Sequence, residues 1–294
     1  MIVRLYRKCF SESLRNKIYD QFLGQMLINL KYPACWIKGV IIFVFSPFFP
    51  KDEYYNAYRF IGRHGVTPYP FGASMKYNKL PVAVLYDEDF PYVEHNGKKL
   101  FFPNHLASRR IRNIYRSLVT EQDPESAHRY VQSFDELKDK ILLDIGAAEG
   151  IFALDTIEFV KEVYLFECEE QWQKPLNKTF EPWKGKVNIV NKYIGDKNTE
   201  ECLTLDTFIK GKAIDKIHIK MDIEGAELSA LQGAKELLSS GKCISFSVCT
   251  YHKEEDERVI KSHFEKLGFV CALTSGYLFN MSQMRRAICR GKNY

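Results

Sequence analysis

Ile141-Leu-Leu-Asp144-Ile-Gly146-Ala-Ala-Glu149-Gly150 is a nearly unbroken apolar run that ends in two glycines. A run without alternation marks a strand covered on both faces, and glycines placed just after it mark a turn where backbone approaches a ligand closely. Working outward, Val163–Phe166, Val187–Val190, Ile217–Met221 and Ile244–Val248 have the same character. Between them lie helical patterns: Leu228, Leu231, Ala234 and Leu238 recur at helical spacing, as do Val259, Ile260, His263, Phe264 and Leu267 before Gly268. Strands that alternate with helices predict a parallel sheet covered on both faces, with ligands at the carboxyl ends of the strands. The last two runs, Phe269–Leu273 and Ala287–Arg290, have no helix between them and read as an antiparallel pair.

The glycine turn has the spacing Asp-x-Gly-x-x-x-Gly, and Ala148 stands where a dinucleotide fingerprint wants its second glycine. Acids in the strand and the turn, Asp144 and Glu149, disfavour a pyrophosphate and suit the amino group of S-adenosylmethionine. Seventeen residues past Gly150, Glu167 ends the second strand, where a carboxylate can accept both hydroxyls of a ribose. A nicotinamide dinucleotide would use Glu167 in the same way, so a dehydrogenase stays open as an alternative.

The third informative segment is Ile217-His-Ile-Lys-Met-Asp222-Ile-Glu224-Gly225-Ala226-Glu227, which places Asp222 at the end of the fourth parallel strand. Together with Asp144–Gly150, the strand ending at Glu167, Leu205-Asp-Thr-Phe208 and Leu231-Gln-Gly-Ala234, this segment resembles the FkbM-type methyltransferases over roughly residues 121–291. Relatives often have proline where this chain has Cys168. The resemblance implies a Rossmann-like class I methyltransferase sheet, S-adenosylmethionine as donor, and O-methylation of a sugar, glycan or related biosynthetic intermediate. It makes Asp144, Gly146, Ala147 and Gly150 the methionine-side contacts and Glu167 the ribose ligand. The same resemblance implies that Asp196, in the turn Ile194-Gly195-Asp196 after strand three, is the adenine contact.

An activated methyl group asks the protein to align donor and acceptor and to remove one proton. Asp222 is the first candidate base, with an orienting or helix-capping role as its alternative. His252, in the loop after strand five, is the second, because imidazole titrates in the useful range. Glu224 would pair with Lys220 if the strand persisted that far. No spacing of metal ligands is visible, so no metal is expected.

The 294 residues are 46% apolar and 27% charged, which excludes disorder and multi-span membrane architecture. Val40–Phe49 is too short to span a bilayer and is interrupted by Pro47; as a short apolar run it reads as a buried element. Arg4, Arg7 and Lys8 could open a signal peptide, but Glu12, Arg15, Lys17 and Asp20 follow in place of an apolar stretch. A cytoplasmic chain with reduced thiols is therefore expected. Eight cysteines form neither C-x-x-C pairs nor a compact framework.

Charge is shared unevenly: residues 1–134 carry 19 Lys/Arg against 11 Asp/Glu, and residues 135–294 carry 23 against 26. The basic run Arg109–Arg116 reads first as a solvated helix face. Residues 111–140 look helical, with Asp123-Pro124-Glu125 as one helix start and Ser133 with Glu136 as a capping box. Asn96-Gly97 between strand-like runs signals a hairpin. The expected organisation is an aromatic, basic α+β cap over 1–110 that shapes an acceptor site, followed by a methyltransferase domain over 111–294. Expected partners are a small-molecule or glycan acceptor and weak peripheral membrane contact. Nucleic acid is disfavoured because the basic bias lies outside the catalytic half. A non-catalytic scaffold is the remaining alternative.

Overall fold

Ile141–Ile145 forms the central strand, β1, and all five of its residues are buried. Around it run β2 (Glu162–Phe166), β3 (Val187–Val190), β4 (Lys216–Met221), β5 (Cys243–Cys249), β6 (Val270–Leu273) and β7 (Ile288–Lys292). Across the sheet the order is β6-β7-β5-β4-β1-β2-β3. The first five strands pair in parallel, and β7 lies antiparallel between β5 and β6. This is the parallel sheet with an antiparallel closing pair that the sequence pattern predicts, and the class I methyltransferase sheet that the resemblance implies. The computed structural model describes residues 23–280 and 282–294, so the basic and polar stretch from Arg4 to Asp20 lies outside the described residues.

Alternation along the strands sorts the sheet into two faces. Ile141, Leu143 and Ile145 share one apolar cluster with Ile217, Ile219, Met221, Ile244, Phe246 and Val248. Leu142 and Asp144 point the other way, and there β4 sets His218 beside Leu142 and Lys220 beside Asp144. Phe246 stacks on Phe264 of the helix Asp256–Lys266 at 3.5 Å between ring centroids, so this helix is fixed to the sheet by its aromatic face.

Packing divides the chain into two units, one of the described residues through Gly72 with Gly276–Met284 and one of Ala73–Ser275 with Arg285–Tyr294. In the first, α1 (Gly24–Lys31) and α2 (Pro33–Val44) are followed by α3 (Glu53–His64). Asp52 caps α3 by accepting from Tyr55 N at 2.6 Å. α2 and α3 meet at Gly39 and Gly62, where a Cβ on either would strike the backbone of the other. Cys35, Ile42, Tyr55, Tyr58 and Ile61 complete that core.

Residues 73–110 pack with the sheet unit, where the sequence reading had joined them to the cap. The reason lies in the hairpin Phe90–His95/Lys98–Phe101, turned by Asn96 and Gly97 at φ 51° and 77°. It buries Val93, Leu100 and Phe101, and it sets the His95 ring nitrogens 3.0 Å from Tyr115 Oη and 2.7 Å from Asp155 Oδ1.

Three local expectations need correction. Asp123-Pro124-Glu125 starts no helix: α4 (Ser108–Glu121) has just ended, and the Asp123 carboxylate is held by Tyr77 Oη at 2.6 Å and Lys76 Nζ at 2.7 Å. The Ser133–Glu136 capping box forms, but it caps only the single turn Phe134–Leu137. The pattern Leu228–Leu238 is two short helices, Glu227–Gln232 and Lys235–Leu238. They part near Gly233, where a Cβ would collide with the Gly195 carbonyl.

Candidate active site

The carboxyl ends of β1, β2 and β4 open on a cavity of about 370 Å³. The sheet reverses its strand order here, which is where the helices diverge and leave a crevice. Gly146, Ala148, Glu167, Trp172, Ile194 and Asp222 contribute to its wall. The glycine turn is pinned to β2 because Gly146 N and Ala147 N both donate to Phe166 O, at 3.0 and 3.1 Å.

Glu167 is buried, and its carboxylate accepts from Ala148 N at 2.8 Å and from Glu169 N at 2.7 Å. Each oxygen keeps a lone pair for a further donor. The acid therefore fixes the turn and offers a preoriented acceptor to the cavity with the same two atoms.

The other proposed donor-side residues divide between wall and interior. Gly146 reaches the wall, at φ 79°. Its lack of a side chain answers to the chain itself, since a Cβ would run into the Asp222 carbonyl oxygen. At Gly150, φ 75° favours glycine, and a Cβ would crowd the Leu176 and Phe180 side chains. Ala147 is buried, and the adjoining Ala148, at φ 44°, lines the cavity. Asp144 is buried on the other face of β1, 2.9 Å from Lys220 Nζ. Lys220 also donates to Gly146 O at 2.6 Å. Burial works against that ammonium, but Asp144 and Asp222 outweigh it and hold Lys220 charged. Lys220 therefore pairs with Asp144, and Glu224 is left with its side chain 92% exposed at the cavity mouth. Asp196 is exposed, and Tyr193 and Ile194 occupy the wall at that turn.

Asp222 is the hub of the site. Tyr130 Oη donates to it at 2.9 Å and Tyr251 Oη at 3.2 Å, with His128 Nε2 at 3.6 Å and His252 Nε2 at 3.4 Å. Burial alone would raise this carboxyl, but His128, Lys220, His252 and the Tyr130 hydroxyl hold it below the usual carboxylate range. His252 is buried, and its Nδ1 lies 2.9 Å from Oε1 of the fully buried Glu227, whose same oxygen accepts from Ile223 N at 3.0 Å. Burial pulls the His252 imidazole down, and Glu227 and Asp222 raise it above its ordinary value. His128 goes the other way, lowered by burial to about 4.

The structure brings the two residues named from the sequence, Asp222 and His252, together with four that were not named as site residues, His128, Tyr130, Tyr251 and Glu227. His128 and Tyr130 come from the irregular segment after α4, which carries no periodicity. Glu227 was legible as the last residue of the quoted motif.

Asp222, Glu227 and His252 offer three ligand atoms within 4.8 Å of one another, as do His128, Asp222 and Cys249. In the first set the two ring nitrogens face different carboxylates, the geometry of a bridging imidazole rather than of ligands converging on one ion. In the second, burial pushes the Cys249 thiol well above its ordinary value.

The cavity wall also tests the two cofactors. Glu167, Glu169, Asp222 and Glu224 line it against one cation, Lys192. This acid-rich set fits an ammonium, a sulfonium and ribose hydroxyls, and it repels a pyrophosphate.

Residues 184–272 match the family model of the methyltransferase FkbM domain, so the FkbM-type resemblance is borne out over that stretch, which holds Leu205–Phe208, Ile217–Glu227 and Leu231–Ala234. No curated protein matches the chain in sequence. Among solved structures it is similar to the methyltransferase FkbM of Methylobacillus flagellatus KT, with 18% identity, 63% of this chain and 55% of that chain covered, and a TM-score of 0.43. It is also similar to Trm5b of Pyrococcus abyssi, at 13% identity over 70% of this chain and 56% of that chain with a TM-score of 0.42. The ribosomal protein L11 methylase of Lactobacillus delbrueckii subsp. bulgaricus follows at 15% identity, 56% and 78% coverage and a TM-score of 0.36. The chain thus spans just over half the length of the first of these relatives. The family match covers 89 of the 294 residues, from β3 to β6, and lies within the seven-stranded sheet.

Proposed function

We propose that this FkbM-type chain transfers a methyl group from S-adenosylmethionine to a hydroxyl of a sugar, glycan or related intermediate, with Asp222 and His252 taking the proton. The observation that carries the reading is the acid-lined cavity, whose wall includes both Glu167 and Asp222. When bound, the donor supplies an already activated methyl group. Glu167 would hold the ribose hydroxyls, and Gly146 and Ala148 would form part of the wall against the donor.

Asp222 reaches the cavity wall, so it can accept the hydrogen bond of an acceptor hydroxyl. Its depressed pKa makes it a poor final resting place for a proton. His252, 3.4 Å behind it and raised in pKa, is the better one. In this reading the proton passes from the acceptor oxygen to Asp222 and on to His252 Nε2. Glu227 stabilises the imidazolium from the Nδ1 side, and Tyr130 and Tyr251 keep the Asp222 carboxylate in place.

Melting with and without ligand tests the donor assignment: S-adenosylhomocysteine at 100 times its Kd should stabilise the fold by about 2.7 kcal/mol, and NAD should not. The reverse result makes the protein a dehydrogenase, and no shift with either makes it a scaffold. Asp222→Asn should slow methyl transfer by about 10²-fold and leave donor affinity within a few fold. Incubation with labelled donor and either hydroxylated sugars or RNA tests the acceptor class: label entering RNA alone would sink the carbohydrate assignment.

A further inference from the structure

Helix α2 is apolar on two sides, and only one of them has a partner among the described residues. Cys35, Gly39 and Ile42 recur at helical spacing and face α3. On another face Ile37, Ile41, Val44 and Phe45 recur at the same spacing and are 54, 46, 60 and 52% exposed, and Phe48 just beyond is 83% exposed. α1 adds exposed Met26, Leu27, Ile28 and Leu30. By contrast α3 turns its outer face to water with Glu53, Asn56, Arg59 and Arg63. A contiguous apolar surface of this kind marks an interaction site.

Three features select the occupant. The first is length: α2 has 12 residues, about 18 Å, against a hydrocarbon core of about 30 Å. α1 and α2 are bent 101° from each other, and no described helix is long and apolar enough to cross a membrane. The second is charge. Residues 23–72 carry five Lys/Arg against two Asp/Glu, and the preceding 22 residues repeat that ratio. A surface with this bias attracts anionic headgroups and repels a second copy of itself. The third is the bend between the helices, where half-buried Tyr32 and Trp36 sit near exposed Lys31, whose ammonium lies 5.2 Å from the Tyr32 ring centroid, while Lys38 is held over Tyr54 and Tyr58 of α3. An amphipathic ring beside a lysine is suited to the headgroup boundary.

We propose that α1 and α2 form an interfacial anchor that lies in one leaflet of an anionic membrane, with the Ile37–Ile41–Val44–Phe45 face among the acyl chains and Lys31 at headgroup level. Apolar insertion and headgroup attraction contribute together, so binding is weakened but not abolished by salt.

Sedimentation of the full-length protein with vesicles tests this. The wild type should pellet with vesicles of phosphatidylcholine and phosphatidylglycerol at 3:1, bind pure phosphatidylcholine at least tenfold more weakly, and keep part of its binding at high salt. The double variant Ile37→Asp/Ile41→Asp leaves Cys35, Gly39 and Ile42 untouched and should lose binding at least tenfold while melting like the wild type. A wild type that stays in the supernatant with both vesicles overturns the anchor. So does a double variant that pellets as well as the wild type. A face that serves instead as a self-association surface would appear as a wild-type dimer in sedimentation velocity, dissolved by the same two substitutions and indifferent to lipid.

Discussion

At Gly146 the constraint is steric before it is functional, because φ is 79° and the Asp222 carbonyl occupies the space a side chain would need. Gly146→Val should therefore lower unfolding free energy by about 2–4 kcal/mol, read as a fall in the urea midpoint, from overpacking and left-handed strain combined. A variant at this position cannot isolate donor contact. Glu167 separates better: Glu167→Ala frees two backbone N–H groups and should cost about 2 kcal/mol of stability as well as donor affinity. Buried imidazoles set the acid response. His128 and His218 are lowered by burial, to about 4 and about 3, so the unfolded chain binds protons there that the folded chain refuses. Stability should fall as pH drops below about 6.5, by roughly 3 kcal/mol for His128 and roughly 5 kcal/mol for His218 at full effect, and urea melts at pH 7 and pH 5 would detect the onset. His252 has the opposite sign: its pKa is raised, so its contribution is full below the unfolded value and is lost as pH rises through the folded one. The same titration should give methyl transfer a limb that rises with pH above about 6.5 and vanishes in His252→Ala.

Single elements show what a one-dimensional pattern can and cannot carry. β1 through β5 were legible because a strand buried on both faces is an uninterrupted apolar run, and their observed ends differ from the expected ones by at most one residue. The break between Glu227–Gln232 and Lys235–Leu238 was not legible, since its cause is the carbonyl of Gly195, nearly 40 residues earlier. That contact holds the turn whose Tyr193 and Ile194 line the cavity. Gly233→Ala should accordingly displace the turn and weaken S-adenosylhomocysteine binding about tenfold or more by calorimetry. Gly233→Ala with unchanged affinity would show that the turn does not shape the donor site. Val40–Phe49 was expected to be a buried element, as short apolar runs usually are; it forms the end of α2 and the turn Ser46–Phe48, and Ile41, Val44, Phe45 and Phe48 are exposed, because hydropathy cannot tell a helix covered on all sides from one covered on one side.

At the scale of the molecule, the boundary at residue 110 failed for a topological reason. The Asn-Gly hairpin was correctly read, but its burial against the sheet unit is a tertiary fact with no local signature. A fragment of residues 111–294 would lose the hairpin contacts of His95 and the donation from Phe101 N to Thr179 Oγ1. It should be insoluble or melt well below the full chain, so loss of acceptor turnover in that fragment would say nothing about a cap. The chain also leaves the sheet after β6, contributes Gly276–Met284 to the other unit, and returns as β7. The two units therefore cannot be exchanged as consecutive segments.

Asp222 N donates to Ile145 O at 3.0 Å, and the Asp222 carbonyl fills the place of a Gly146 side chain. The two halves of the proposed reaction thus share one piece of backbone: the turn that would bear the donor rests on the residue that would receive the acceptor. Any displacement of Asp222 by an incoming hydroxyl is felt at the turn, and the converse holds. Thermodynamic reciprocity then requires that each ligand change the affinity of the other by one common factor, which two calorimetric titrations run in opposite order would return.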